Sequence, residues 1–302
     1  MTDASVTRDQ GMGYLRGCLL VLFSGVVFSL GGLIVRQIEA ADAWQIVFYR
    51  SLAQGLALLL LLSLRDRGGI GTTFRLAGWA GCAGGVCLTM ASICFIFSIT
   101  HTTVANTLFL LSAAPFMAAI ISRVLLGEPV RPMTWVTMTV AMLGITVMVG
   151  EGIALGNLFG NLTGLATALG FAGLTVALRH GRATDMLPAV CLGGFMSSAI
   201  AAIVIAGQGS GFAISIWDLW LCAFYGAAII AVGLSIFTRG ARHLPAAELA
   251  LLSLTEVVFG PVWVWLVIDE RPSEGTLLGG AILLAALVGH ALYGVGRRRN
   301  SR

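Results

Sequence analysis

Residues 102–130 read TTVANTLFLLSAAPFMAAIISRVLLGEPV. The stretch is apolar for most of its length, with Asn106 near its start, Pro115 in its middle and Glu128 at its end. About 20 apolar residues are enough for an α-helix to cross the roughly 30 Å hydrocarbon layer of a bilayer. We therefore predict that residues 103–126 form a membrane-spanning helix that a proline interrupts.

The rest of the chain repeats this pattern. Of its 302 residues, 58% are hydrophobic and only 11% are charged, a composition typical of membrane proteins. We predict an all-α membrane protein with ten transmembrane helices, of which the fifth is short. The predicted spans are 14–35, 43–64, 76–99, 103–126, 134–150, 161–179, 187–206, 216–238, 245–268 and 276–296.

The arginine residues predict the orientation of these spans. All 18 basic residues are arginine, and outside the spans nearly all of them fall in the segments on the side of the N-terminus. The opposite segments hold only Arg36 and Arg271. Cytoplasmic segments of membrane proteins are enriched in Arg and Lys. We therefore predict a multi-pass protein of a bacterial-type inner (plasma) membrane with both termini in the cytoplasm.

The two halves of the chain resemble each other. A shift of 142 positions places His101 on His243 and Glu128 on Glu270, and LLGEPVRP after the fourth span matches VIDERPSE after the ninth in kind. We predict two repeats of five helices each, residues 1–150 and 151–302. Since each repeat has an odd number of spans, the second is expected to be inverted. Inverted repeats are common in secondary transporters, which bind their substrate near the membrane midplane.

These features together resemble one known family. The ten spans, FYRS at residues 48–51, the fourth-span sequence above and its echo in the ninth span are similar to the EamA-type members of the drug/metabolite transporter superfamily. The resemblance covers nearly the whole chain. It implies transport of a small solute such as an amino acid, another metabolite or a drug, often outward.

The ninth span departs from the pattern of that family. Family members usually have Glu-Pro there, whereas this chain has Glu256 followed by Val257 and a proline only at Pro261. We therefore expect the bend of this helix to lie about one turn later. Pro115 and Pro261 are the two helix-bend candidates, because prolines in repeat-related spans favour gating or an exposed backbone.

Two charges within apolar spans are the main site candidates. A charge at the centre of a membrane helix costs roughly 2.5–3.5 kcal/mol, so its presence favours a function. Glu256 is expected about 16 Å from the inner face and Arg50 about 10 Å from the outer face, and whether they meet depends on helix packing. Glu256 is predicted to bind substrate or a proton, or else to bond to a neighbouring helix. Arg50 is predicted to bind a substrate carboxylate, or else to tie helices together.

Two further polar residues are weaker candidates for binding substrate or a proton. Glu248 could form the mouth of the same cavity, but its place in the first turn of a helix also suits a helix-dipole contact. Asn106 corresponds to Glu248 in the other repeat. It could make a mirror-image contact with substrate or an interhelical hydrogen bond.

No motif for an enzyme or an ATP-driven pump is present in the sequence. The cysteine and histidine residues are dispersed, which argues against a metal site, and no basic surface suits nucleic acid. We therefore predict a secondary transporter, not an enzyme, without cofactor or metal, with a small-molecule substrate, a coupling proton and lipid as its partners. Export by alternating access is the expected activity. The alternative is a membrane-embedded scaffold or assembly partner without transport activity, and the oligomeric state is open.

Overall fold

The computed structural model describes residues 3–65, 69–102, 104–149, 158–209, 211–268 and 274–300. All regular structure in these residues is helical. The predicted repeat boundary at 150 and 151 and the predicted repeat residue Glu270 lie outside them. The elements are α1 (Asp3–Phe28), α2 (Leu30–Val35), α3 (Ala43–Arg65), α4 (Ile70–His101), α5 (Val104–Leu111), α6 (Ala114–Leu126), α7 (Pro132–Val149), α8 (Leu158–His180), α9 (Leu187–Gln208), α10 (Ile216–Phe224), a π-helical segment (Tyr225–Ile230), α11 (Ala231–Ala241), α12 (Ala246–Ser253), α13 (Thr255–Ile268) and α14 (Glu274–Asn300).

These helices form the spans of an all-α membrane protein. Within the described residues, nine stretches are long and apolar enough to cross a bilayer, and the shorter apolar helix Pro132–Val147 accounts for the short fifth span. Large apolar side chains such as Leu64, Trp79 and Val124 are 75–82% exposed, as expected for residues that face lipid. The sequence therefore predicted the spans correctly to within a few residues at their ends.

Contacts between the loops group the helix ends at two opposite sides of the bundle. At one side, which we call the arginine end (Arg65, Arg131, Arg179 and Arg242), Asp185 pairs with Arg65 at 2.9 Å and with Arg242 at 3.4 Å. At the other, the Asp218 end, the Asp218 carboxylate accepts hydrogen bonds from the backbone N–H groups of Ala40 and Ala41 at 3.0 Å. This grouping follows from spans that alternate in direction.

The first, fourth and ninth spans each contain an interruption of one or two residues within their apolar run. The first breaks at Ser29 between α1 and α2, the fourth at residues 112–113 between α5 and α6, and the ninth at Leu254 between α12 and α13. The breaks in the fourth and ninth spans occupy corresponding positions of the predicted repeat. The eighth span instead contains the π-helical segment, a local widening that is frequent at functional sites.

Only one of the two helix-bend prolines lies beside a break. Pro115 is in the first turn of α6, where a backbone nitrogen has no partner within the helix. A proline at this position therefore costs no helical hydrogen bond. In the ninth span, α13 runs through position 261 as one helix, and the interruption at Leu254 lies roughly two turns earlier. Thr255 and Ser253 flank this interruption, and their hydroxyls donate to the carbonyls of Leu252 and Ala250, both at 2.7 Å.

Glycines allow the closest helix contacts. Helix α4 packs along α8 and α9, and a Cβ on Gly170 of α8 would lie 2.7 Å from both the backbone nitrogen of Ala91 and the carbonyl oxygen of Cys87 in α4. Backbone atoms of a helix cannot move aside as a flexible side chain can. Any residue larger than glycine at position 170 must therefore push α4 and α8 apart.

We expect Gly170→Ala to lower the free energy of unfolding by about 1–3 kcal/mol, the usual cost of overpacking a close interface. The thermal midpoint of the purified protein in lipid nanodiscs measures this loss. The matched control is Gly289→Ala in α14, where an added Cβ meets no atom within 4 Å among the described residues. Equal midpoints for the two variants would contradict the close α4–α8 contact.

Candidate functional site

Arg50 is a buried cation near the middle of α3. Its side chain is 3% exposed, and its Nη2 donates to the Ser92 carbonyl oxygen at 3.2 Å and to the Ser92 hydroxyl in α4. Its Nε has no hydrogen-bond partner. Among the side chains that the structure describes, no carboxylate lies within ion-pair distance of Arg50. A buried charge in this state is costly unless another group compensates it.

The π-helical segment brings Tyr225 against Arg50. The Arg50 guanidinium carbon lies 5.3 Å from the centroid of the Tyr225 ring, a cation–π distance. The next residue must be glycine, because a Cβ on Gly226 would lie 1.9 Å from the Arg50 carbonyl oxygen. At the other end of the ring, a Cβ on Gly31 of α2 would lie 2.7 Å from the Tyr225 hydroxyl oxygen. Two glycines thus fix the place of this tyrosine.

Glu256 is the second residue of α13, two residues after the break at Leu254. Its side chain is half-buried, and it makes no ion pair or hydrogen bond among the described residues. It lies close enough to Tyr225 for the carboxylate and the phenol to interact electrostatically, as Arg50 does. Arg50 and Glu256 therefore do not pair directly. Tyr225 interacts electrostatically with both groups, and we call these three residues the Tyr225 site.

The interruptions of the first and ninth spans face each other beside this site. A Cβ on Gly25 of α1 would lie 2.9 Å from Thr255 Cβ and 3.3 Å from the Glu256 backbone nitrogen. The indole nitrogen of Trp263 in α13 donates to the Ser29 hydroxyl at 2.7 Å. Two broken helices and one π-helical segment thus converge on the Tyr225 site. Discontinuous helices are the usual source of substrate and ion sites in secondary transporters.

The other two predicted site residues lie elsewhere. Glu248 is at the arginine end, where it is 2% exposed and accepts a hydrogen bond from the Tyr14 hydroxyl at 2.9 Å. Asn106 is at the Asp218 end and donates to Asn161 of α8 at 2.6 Å and to Thr102 at 2.9 Å. Neither contacts Arg50 or Glu256. Asn106 makes an interhelical hydrogen bond, which was one of the two roles that its position allowed.

Sequence reasoning missed Tyr225 and Ser92. Tyr225 carries a phenol in the middle of the apolar run LWLCAFYGAAII, residues 219–230, and an isolated polar group before a glycine was a usable signal. Ser92 carried no such signal, because a membrane helix can satisfy a serine hydroxyl with its own backbone. Its contact with Arg50 depends on the packing of α3 against α4.

Comparisons with known proteins agree with this architecture. A curated relative named pseudopaline exporter CntI, from Pseudomonas aeruginosa, is 25% identical over 279 residues, which cover 90% of this chain and 94% of the relative. A relative from Archaeoglobus fulgidus named as an uncharacterized transporter is 26% identical over 270 residues, 89% of this chain and 93% of its own. A solved crystal structure superposes with a TM-score of 0.74 at 16% identity, covering 92% of this chain and 97% of its own, which shows a shared fold.

The family comparison covers most of the chain. The model of the EamA-like transporter family matches residues 15–150 and again residues 158–291. Both matches contain an interrupted fourth or ninth span, and each contributes one charged residue to the Tyr225 site. The chain belongs to the EamA-like transporter family.

Proposed function

We propose that this protein is a secondary transporter that exports a small metabolite or drug across the inner membrane by alternating access. Membership of a transporter family and the similarity to a relative named as an exporter support this proposal. The bias of the arginines towards one end supports a cytoplasmic location for that end and for both termini. The repeats 1–150 and 151–302 are then inverted relative to each other, and the Tyr225 site lies between them.

The observation that carries this proposal is the pair of uncompensated opposite charges at the Tyr225 site. The Arg50 guanidinium has an unpartnered Nε and no carboxylate partner, and Glu256 has no cationic partner among the described residues. A solute that carries both a carboxylate and an ammonium group would compensate both charges at once. The planar guanidinium suits a carboxylate, which it can bind with two parallel hydrogen bonds.

Glu256 is also the residue that we propose to bind the coupling proton. A carboxylate at membrane depth cannot remain charged without a partner when the substrate leaves, because the hydrocarbon interior solvates ions poorly. Exchange of a substrate ammonium group for a proton keeps the site electrically balanced through the cycle. Such an exchange couples outward movement of the solute to inward movement of a proton.

We expect Glu256→Gln to abolish the dependence of flux on a pH gradient, because the amide neither binds nor releases the coupling proton. Uptake into sealed inverted vesicles, screened over amino acids and cationic drugs with and without an imposed gradient, measures this dependence. The control is Glu128→Gln. It removes a carboxylate outside the Tyr225 site, which pairs with Arg179 at a distance of 2.7 Å. If Glu256→Gln keeps both rate and gradient response, Glu256 only joins helices. If the parent protein moves no solute saturably, the scaffold alternative gains support.

We expect Arg50→Lys to raise the KM for the transported solute roughly tenfold or more, since lysine keeps the charge but loses the planar fork and the stacking on Tyr225. Initial rates over a range of solute concentrations in the same vesicles separate KM from the maximal rate. Arg36→Lys, an exposed arginine beyond α2, is the control. An unchanged KM for Arg50→Lys would show that the guanidinium does not bind the solute.

A further inference from the structure

A second group of buried ionisable residues lies at the arginine end, around Glu248 at the start of α12. The Tyr14 hydroxyl of α1 donates to Glu248 Oε2 at 2.9 Å, and Arg131, the residue before α7, has its Nη1 3.7 Å from Oε1. His290 of α14 has its Nε2 3.9 Å from Oε2. One carboxylate of the second repeat thus holds two residues of the first repeat. We call these four residues the Glu248 cluster.

The hydrogen bonds of Thr137 in α7 assign the tautomer of His290. The Thr137 hydroxyl donates its proton to the Met133 carbonyl oxygen at 2.8 Å, so towards His290 Nδ1, 3.1 Å away, it acts as an acceptor. His290 Nδ1 therefore carries the ring proton and donates to Thr137. His290 Nε2, which has no hydrogen-bond partner, then directs a lone pair towards the Glu248 carboxylate. The ring is 3% exposed.

Two acceptors that face each other without a proton between them form a vacant proton site. We propose that Glu248 and His290 bind one proton between them, and that this proton controls how firmly the two halves are tied at the arginine end. A proton on His290 Nε2 changes its contact with Glu248 into a charge-assisted hydrogen bond. The carboxylate then moves towards α14, away from Tyr14 and Arg131.

The direction of the effect follows from which helix each residue belongs to. Glu248 and His290 both lie in the second repeat, and His290 keeps its hydrogen bond to Thr137 of the first repeat in either state, so a bond between Glu248 and His290 adds no new contact between the halves. Tyr14 and Arg131 lie in the first repeat, so weaker contacts between them and Glu248 loosen the tie. Protonation therefore opens this end of the bundle, and deprotonation closes it.

No other charged or titratable group within the described residues contacts Glu248. The remaining helices packed on α12, which are α6, α8 and α11, bring no such group within hydrogen-bond or ion-pair distance of it. In the loop before α12, burial and the positive charges of Arg16 and Arg242 lower the pKa of His243. His243 therefore stays neutral over a wider pH range than an ordinary histidine.

The corresponding position at the Asp218 end carries a group that does not titrate. Asn106 occupies the place of Glu248 in the first repeat, and it joins α5 to Asn161 of α8 by an amide hydrogen bond at 2.6 Å. Amides bind no proton in the physiological range. The two ends of the bundle thus differ in chemistry at these equivalent positions.

Cys18 supplies a reporter for the test. It is 1% exposed, lies one turn after Tyr14 on α1, and interacts with the Tyr14 hydroxyl. Alanine replacement of the other five cysteines leaves Cys18 as the sole thiol; these are Cys82, Cys87, Cys94, Cys191 and Cys222. We call this protein with Cys18 as its sole thiol the parent. The rate at which N-ethylmaleimide alkylates Cys18 in lipid nanodiscs reports how far the bundle opens beside Tyr14. The assay needs no transported solute, so its outcome is independent of the proposed transport.

We expect Glu248→Gln to react roughly tenfold faster than the parent at about pH 8, the effect of losing one hydrogen bond to a charged group. Comparison at equal pH removes the ionisation of the thiol itself. Since uptake of the proposed proton releases Tyr14, the parent rate should approach that of Glu248→Gln as the pH falls towards about 5. Glu274→Gln, which replaces an exposed carboxylate in the first turn of α14 outside the Glu248 cluster, should match the parent throughout.

His290→Gln provides the second variant, because its amide nitrogen can still donate to Thr137 but cannot take up a proton. We expect it to react slowly at every pH, so that the parent becomes the faster of the two at about pH 5. The proposal is overturned if the ratio of Glu248→Gln to parent rates stays constant with pH. It is also overturned if His290→Gln shows the same acceleration at low pH as the parent.

Discussion

No water is present in the hydrocarbon layer of a bilayer, so each backbone polar group of a spanning segment must find its partner within the protein. Continuous α-helices meet this constraint, and most of this chain does so. The first, fourth and ninth spans do not, because each is interrupted within its apolar run. Hydroxyl groups near the interruptions donate hydrogen bonds to backbone carbonyls. The Ser29 hydroxyl donates to the Val26 carbonyl oxygen at 2.6 Å, and in the ninth span the hydroxyls of Ser253 and Thr255 donate to carbonyls three residues earlier. Broken helices can therefore lie at membrane depth, and the remaining features of the protein depend on them.

The same constraint explains the arrangement of charge. Arg50 is held by Ser92 and by the face of Tyr225, neither of which neutralises it. A direct ion pair between Arg50 and Glu256 would compensate both charges permanently and leave little for a solute to do. Tyr225 instead interacts with each of them, and its place depends on Gly226 and Gly31. The site keeps a guanidinium and a carboxyl group within the bilayer without joining them.

Duplication of a five-helix unit places equivalent residues at opposite ends of the bundle, but it does not force them to share a chemistry. Asn106 and Glu248 both anchor the first half of a broken span, one through an amide and the other through a carboxylate. Divergence at such positions can give each end of a symmetric fold its own response to its surroundings. The interruptions themselves have kept their equivalent places at residues 112–113 and 254.

The sequence by itself determined the membrane class, the spans and the charged residues that require an explanation. It could do so because satisfaction of the backbone in lipid is a local requirement, which is visible as apolar runs of a fixed length. Glu256 and Arg50 stood out for the same reason. The tertiary structure alone decided that Tyr225 lies against Arg50 and interacts electrostatically with Glu256, and that the ninth span breaks at Leu254, upstream of Pro261.

The cluster around Glu248 was equally beyond the reach of the sequence. It draws Tyr14 and His290 from two other spans and Arg131 from the residue before α7, all far apart in the chain. Hydropathy fixes how deep a residue lies in the membrane, whereas contact depends on the rotation of each helix and on its neighbours. Those are set by side-chain packing across the whole bundle, which no single stretch of sequence encodes.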